Sequence, residues 1–318
     1  MTTSEIIDLI TALWLGFIGA CIGSFLNVVA YRMPLGMSVI WKPSHCPKCS
    51  HPIRAYDNVP VMGWLWLKGK CRDCQAPIAP RYAIVEFVMG LAFFALAYAE
   101  LFSGGANLPG GPITEFTGAM ENVWLPQWKL IGVYAYHGLL LCLLMSIALI
   151  DLDAQKMPRS LFCLGVLGVL LMLLLGVQPW TGISVNPTAA WNIAHSMKLS
   201  LWGTACGLLA GVIIAAIWRG KLVTSDAAAS KEKILVERTG QPFSNAESLL
   251  AAFSLVGLFG GYRLACYAFI GTTAVLVVAR LALSKKRWEI SKLALPTLFL
   301  VVVVFITSWK PLTGRLPI

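Results

Sequence analysis

Charge is scarce in this chain, and that scarcity points to its solvent. Of 318 residues only 13% are Asp, Glu, Lys or Arg, 58% are hydrophobic, and the mean hydropathy is +0.73. One soluble core does not hide so much apolar side chain, so a water-dissolved globular domain is excluded and a lipid bilayer is expected. Acids are the scarcer sign, 15 against 25 basic residues, for a net charge of +10. A P-loop, a dinucleotide-binding glycine fingerprint, an HExxH pair and a GxSxG elbow are all missing from the sequence. Nucleotide-driven, zincin and serine-hydrolase chemistry therefore lack their usual carriers.

Long apolar runs are abundant. Crossing about 30 Å of hydrocarbon takes about 20 mostly apolar residues, and runs of that kind fall at 8–31, 83–102, 131–150, 160–177, 197–218, 247–261, 263–283 and 293–309, the sixth being short. The expected fold is mainly α, a polytopic membrane helical bundle of about eight spans. The first run lacks a basic stretch before it and a clear small-residue cleavage site after it, so it reads as a retained helix. Between the first two runs lie Arg32, Lys42, Lys48, Arg54, Lys68, Lys70, Arg72 and Arg81 against Asp57 and Asp73 alone. The positive-inside rule puts that segment in the cytoplasm and the N-terminus outside. Later loops agree, since 178–196 has neither Lys nor Arg while 219–245 and 284–292 are rich in both. The net positive charge is then a topology signal rather than a nucleic-acid footprint.

Cys21, Cys142, Cys163, Cys206 and Cys266 lie inside apolar runs, where a thiol acts as a small hydrophobe. The other four form Cys46-Pro-Lys-Cys49 and Cys71-Arg-Asp-Cys74, with 21 residues between the pairs. That spacing gathers four thiolates around zinc, and a reducing cytoplasm favours zinc over two disulfides. A closed four-cysteine site leaves no open position, so the metal is expected to be structural. A module of about 50 residues needs such a staple to fold.

The stretch from Gly23-Ser24-Phe25-Leu26-Asn27 to Arg32-Met33-Pro34 closes the first run, and Ser44-His45 leads into the first cysteine pair. Tyr56-Asp57-Asn58-Val59-Pro60, Lys68-Gly69-Lys70-Cys71 and Pro80-Arg81-Tyr82 through Glu86 follow. Together they resemble the N-terminal region of the prepilin peptidase family, the type IV prepilin leader peptidases and N-methyltransferases. The resemblance implies a membrane aspartic endopeptidase of the bacterial inner membrane, acting on prepilins of type IV pili or pseudopilins of type II secretion. It also implies N-methylation with S-adenosylmethionine, and a place in that half of the activity for Asp57, Asn58, Gly69, Arg81 and Glu86. From the residues alone, Asn27 and Arg32 read equally as a polar cap and a snorkelling anchor, and an Asp57 to Arg81 ion pair would leave the same trace.

Aspartic proteolysis needs two carboxylates sharing a proton across one water. Ile150-Asp151-Leu152-Asp153 matches the family's first aspartate motif, which makes Asp151 the first catalytic group, although Arg159 stands where a further Asp is usual. The second motif, Gly-x-Gly-Asp ahead of a helix, is replaced by Phe243-Ser244-Asn245-Ala246 before Leu249-Leu250-Ala251-Ala252. Glu247 lies one residue beyond the expected place and ranks first as the second acid. Asp226 ranks below it, and loss of the second acid is the third reading. That last case leaves a peptidase-inactive homologue that methylates or binds prepilin, or else a membrane scaffold or transporter.

The expected organisation is a first span (1–31), a cytoplasmic zinc module (32–82) and a peptidase-like helical domain (83–318). Residues 227–241 read as a solvated helix or a loop long enough to act as a lid. His137, beside Tyr134 and Tyr136, suggests a proton path or a buried hydrogen bond near the outer face. Gly203, Gly207 and Gly211 recur every four residues, a spacing that lets helices approach closely in lipid.

Overall fold

Apolar runs become helices because lipid offers no partner to a backbone N–H or C=O, and only a helix or a closed barrel satisfies all of them internally. The computed structural model describes residues 2–41, 43–108, 112–115, 117–153, 155–175, 189–218, 245–283 and 293–313. In chain order the α-helices are α1 (Thr3–Arg32), α2 (Met62–Trp66), α3 (Arg81–Leu96), α4 (Ala119–Trp124) and α5 (Trp128–Leu152). They are followed by α6 (Arg159–Leu174), α7 (Ala189–Trp218), α8 (Asn245–Leu283) and α9 (Ala294–Thr313). A π-helical turn, Ala97–Phe102, continues α3.

Five helical segments are long and apolar enough to cross a membrane: Thr3–Arg32, Arg81–Phe102, Trp128–Leu152, Met197–Ile217 and Glu247–Ala279. Arg159–Met172 and Ala294–Ser308 are shorter apolar helices. The two runs expected at 247–261 and 263–283 are two helical stretches of α8 that meet at a kink at Gly261, whose φ of 63° is outside the helical region. Glycine takes that conformation without the Cβ clash any other residue would meet.

The chain divides into two compact units. Met1–Cys142, Leu171–Thr188 and Ile306–Ile318 make the first, and Leu143–Leu170 with Ala189–Phe305 make the second. In the first unit, Thr2 and Glu5 form a reciprocal capping box that starts α1. Asp8 Oδ1 accepts the Ala119 N–H at 2.6 Å and so caps α4. α1 packs along α3 through small residues, and a Cβ at Gly19 would lie 2.6 Å from that of Phe93.

The second unit uses the same device between α7 and α8. Gly203 faces the backbone of Gly257, Gly207 the carbonyl of Phe253, and Gly211 the Cα of Leu250. The glycine periodicity in the sequence thus marks packing within the chain. Phe253 is fully buried, and its carbonyl oxygen would lie 2.0 Å from a Cβ at Gly207. Gly207→Leu is expected to force α7 and α8 apart and to destabilise the second unit by about 3 kcal/mol or more. Thermal unfolding in detergent or lipid checks this: a Tm close to that of the wild type would show that the two helices have slack.

Candidate functional site

The four-cysteine cluster is built from two copies of one turn. In the first, the Cys46 N–H donates to His51 O (2.9 Å), the Ser50 N–H to Cys46 O (2.9 Å) and the Ile53 N–H to Ser44 O (2.9 Å). In the second, the Cys71 N–H donates to Ala76 O (2.8 Å), the Gln75 N–H to Cys71 O (3.0 Å) and the Ile78 N–H to Gly69 O (2.7 Å). Isolated bridges pair His45 with Pro52 and Lys70 with Pro77, and Ser50 and Gln75 both have positive φ. Each turn aims two sulfurs at one point.

The four Sγ atoms lie within 4.8 Å of one another, the only group of three or more such ligands among the described residues. Cys46 and Cys74 sulfurs are 3.8 Å apart, and those of Cys49 and Cys71 4.0 Å. Zinc–sulfur bonds of about 2.3 Å in a tetrahedron require edges of about 3.8 Å, whereas a disulfide needs about 2.05 Å. All four cysteines are free, and their placement fits a tetrahedral cation. Backbone N–H groups of Cys49 and Lys48 favour the thiolate of Cys46, which is pushed down to about 6. The His51 N–H acts the same way on Cys49, but desolvation and the sulfurs of Cys74, Cys46 and Cys71 outweigh it and push that thiol up to about 12. A dication relieves this repulsion among thiolates.

Around the cluster, Arg72 grips Asp57 with both arms of its guanidinium, Nε to Oδ2 at 2.8 Å and Nη2 to Oδ1 at 2.5 Å, and it lies over the Tyr56 ring at 5.3 Å. That hydrogen bonding holds the Asp57 carboxyl below its ordinary range. Trp64 Nε1 donates to Ile78 O at 3.0 Å and its ring covers Gly69. Glu86 Oε2, on α3, accepts the Val61 N–H at 2.7 Å. Val61 starts α2 at a φ of 62°, a strained setting for a β-branched residue.

Asn27 and Arg32 are both buried near the end of α1. Asn27 Nδ2 donates to Gly23 O (3.3 Å) and Tyr82 O (3.5 Å), while its Oδ1 has no hydrogen-bond partner among the described residues. Arg32 donates from Nη1 to Ser38 O and from Nη2 to Pro43 O, each at 3.3 Å.

In the second unit, Asp151 occupies the last turn of α5 and is 8% exposed, next to the fully buried Ile150. Asp153 is half-buried, and its N–H continues the helix by donating to Leu149 O at 3.1 Å. Glu247 is exposed in the first turn of α8, followed by Ser248, which is wholly buried with no partner for its Oγ among the described residues. Both carboxylates belong to the same compact unit. Asp226 and the 227–241 stretch lie outside the described residues.

Residues 17–100 match the Bacterial Peptidase A24 N-terminal domain. A protein of Pectobacterium carotovorum subsp. carotovorum named prepilin leader peptidase/N-methyltransferase is 31% identical over 222 residues, 62% of this chain and 67% of its own length. The chain belongs to the prepilin leader peptidase/N-methyltransferase family. A family member of the same name from Myxococcus xanthus (strain DK1622) is 32% identical over 192 residues, covering 60% of this chain and 49% of its own length. The type 4 prepilin-like proteins leader peptide-processing enzyme of Escherichia coli O78:H11 (strain H10407 / ETEC) is 33% identical over 213 residues, 61% and 62% of the two chains. The match spans about half to two thirds of the length of these relatives. No solved structure matches the chain.

Within this family member several side chains stand differently from the sequence reading. Asp57 pairs with Arg72, not Arg81, whose guanidinium instead lies 5.7 Å from the Tyr82 ring centre. Arg32 does not snorkel; it is buried and ties down the loop that follows α1. The likeness of the two turns extends past the cysteines, and its sequence signal is Cys-x-x-Cys-x-x-Pro-Ile, which occurs twice, at 46–53 and 71–78.

Proposed function

We propose that this chain is a prepilin peptidase that removes leader peptides from type IV prepilins or type II pseudopilins at the cytoplasmic face of the bacterial inner membrane. The observation that carries the reading is Asp151, a buried carboxylate ending a membrane-length helix, in a chain whose residues 17–100 match the peptidase A24 N-terminal domain. Glu247 is the proposed second acid, since it belongs to the same unit and sits at a helix start. Asp151 and Glu247 would share one proton across the attacking water, one taking the water's proton while the other polarises the scissile carbonyl.

The full topology belongs to this proposal: about eight crossings, the N-terminus outside, and residues 32–82 as a cytoplasmic module between the first span and the peptidase-like remainder. Cys46, Cys49, Cys71 and Cys74 would hold zinc, which supplies folding stability to the module and no reactive position. The wild type is expected to bind one zinc per chain, and Cys46→Ser to lose it and expose the module to protease, read by metal analysis and limited proteolysis. A wild-type protein purified with its thiols reduced and free of metal would refute the zinc assignment.

N-methylation of the new amino terminus with S-adenosylmethionine is a second reading, supported by the names of the relatives. Incubating the purified chain in lipid with a purified prepilin tests the first. Loss of the leader, seen by mass, is expected; an uncut substrate retires the peptidase and leaves methyl transfer or substrate binding.

A further inference from the structure

Trp41 is 86% exposed and Ile40 80%, and no other described large apolar side chain is as bare as Trp41. Both sit in a short loop that is pinned rather than loose. The Leu35 N–H and Met37 N–H return to Arg32 O at 3.2 and 3.0 Å, and the Trp41 N–H donates to Ser38 Oγ at 3.2 Å. Buried Arg32 reaches from the last turn of α1 to Ser38 O and Pro43 O.

Those ties set the depth of the two side chains. Along α1 the exposed apolar positions run from Ile6 and Ile10 through Leu13, Trp14 and Phe17 to Phe25 and Tyr31 and mark the side left to lipid, and Leu35 continues it past the helix end. From Ile6 or Ile10 to Tyr31 is about 32 to 38 Å at 1.5 Å per residue, no less than about 30 Å of hydrocarbon, which puts Tyr31 at its edge or just past it. The head-group layer beyond is about 5 to 7 Å thick on each side. Ser38 and Pro43 are within one arginine side chain of that edge, and the two residues at most that separate Ile40 and Trp41 from them span about 7 Å or less.

From this geometry we propose that the Met33–Trp41 loop is a membrane-surface anchor, with Ile40 and Trp41 inserted among the lipid head groups on the side of the four-cysteine module. Tryptophan favours that layer because its ring is apolar and its N–H is wet. A bilayer also explains how a fixed loop keeps two large apolar groups bare without aggregating. The anchor and Arg32 together hold the start of the module against the membrane, independently of whether the chain cuts or methylates.

The test uses the full chain labelled with 5-fluorotryptophan in nanodiscs of phosphatidylcholine and phosphatidylglycerol. The fluorine resonance that disappears in Trp41→Phe, or in Trp41→Tyr if the first variant folds poorly, belongs to Trp41. That resonance is expected to be lost to broadening when lipids carrying a nitroxide near the head group are added, and to survive a water-soluble gadolinium chelate. Broadening by the chelate and not by the lipid would overturn the anchor. Protection from both would also overturn it, because the occupant would then be protein, either a partner or a second copy.

Discussion

Asp151→Asn is expected to lower the rate of prepilin cleavage by about 10² to 10⁴-fold, the range that a positioned acid or base contributes. Asn keeps the shape of a side chain only 8% exposed while replacing one acceptor oxygen with an N–H donor, so the fold should survive and the loss reads as chemistry. Glu247→Gln is expected to give a loss of the same order. The informative measurement is the double variant. Two carboxylates sharing one proton act as a unit, so removing both should be little worse than removing either, whereas independent contributions would multiply. Single-turnover cleavage with prepilin in lipid, with folding checked by thermal unfolding, separates these outcomes. Unchanged cutting by Glu247→Gln would reject Glu247 and turn the search for the second acid to Asp226.

The parts of this protein that could be read in its sequence are those whose physics is local. Apolar runs predicted helices because lipid admits few alternatives, and Thr3–Arg32, Arg81–Phe102 and Trp128–Leu152 contain the runs expected at 8–31, 83–102 and 131–150. Cysteines with two residues between them can aim both sulfurs at one point, so the cluster of Cys46, Cys49, Cys71 and Cys74 was legible. What periodicity cannot show is which polar side chain meets which. Arg72 and Arg81 lie 15 and 24 residues beyond Asp57, and only the folded turn around Cys71 decides for Arg72. The boundary between the runs expected at 247–261 and 263–283 coincides with Gly261, where the backbone leaves the helical region, because a glycine in an apolar run is a local signal for such a break. His137 was visible as an ionisable group in an apolar run, but its partner lies 37 residues away on another helix.

That partner gives the largest expected effect on stability. Glu100 and His137 are 0% and 1% exposed, and His137 Nδ1 and Glu100 Oε1 share a hydrogen bond at 2.5 Å. Glu100 sits in the π-helical turn Ala97–Phe102, an irregularity often found at functional positions, and its Oε2 has no hydrogen-bond partner among the described residues. Tyr136 meets the imidazole edge to face with ring centres 5.8 Å apart. Each ionisable group sits on a helix long and apolar enough to span a membrane, where an acidic or basic side chain is costly unless matched. His137→Leu would strand Glu100 in an apolar setting and is expected to destabilise the first unit by about 3 to 5 kcal/mol, as breaking a buried pair does. Glu100→Leu should be comparable. Replacing both by Leu removes the stranded group together with the pair, so the double variant is expected to recover most of the stability, to within about 1 kcal/mol of the wild type or above it. Reversible unfolding of the four proteins in lipid or detergent forms a double-mutant cycle whose coupling measures the pair directly. Single variants as stable as the wild type would mean that the pair is solvated or dispensable. A double variant no better than the singles would mean that the two side chains support the helices by their shape and not by their hydrogen bond.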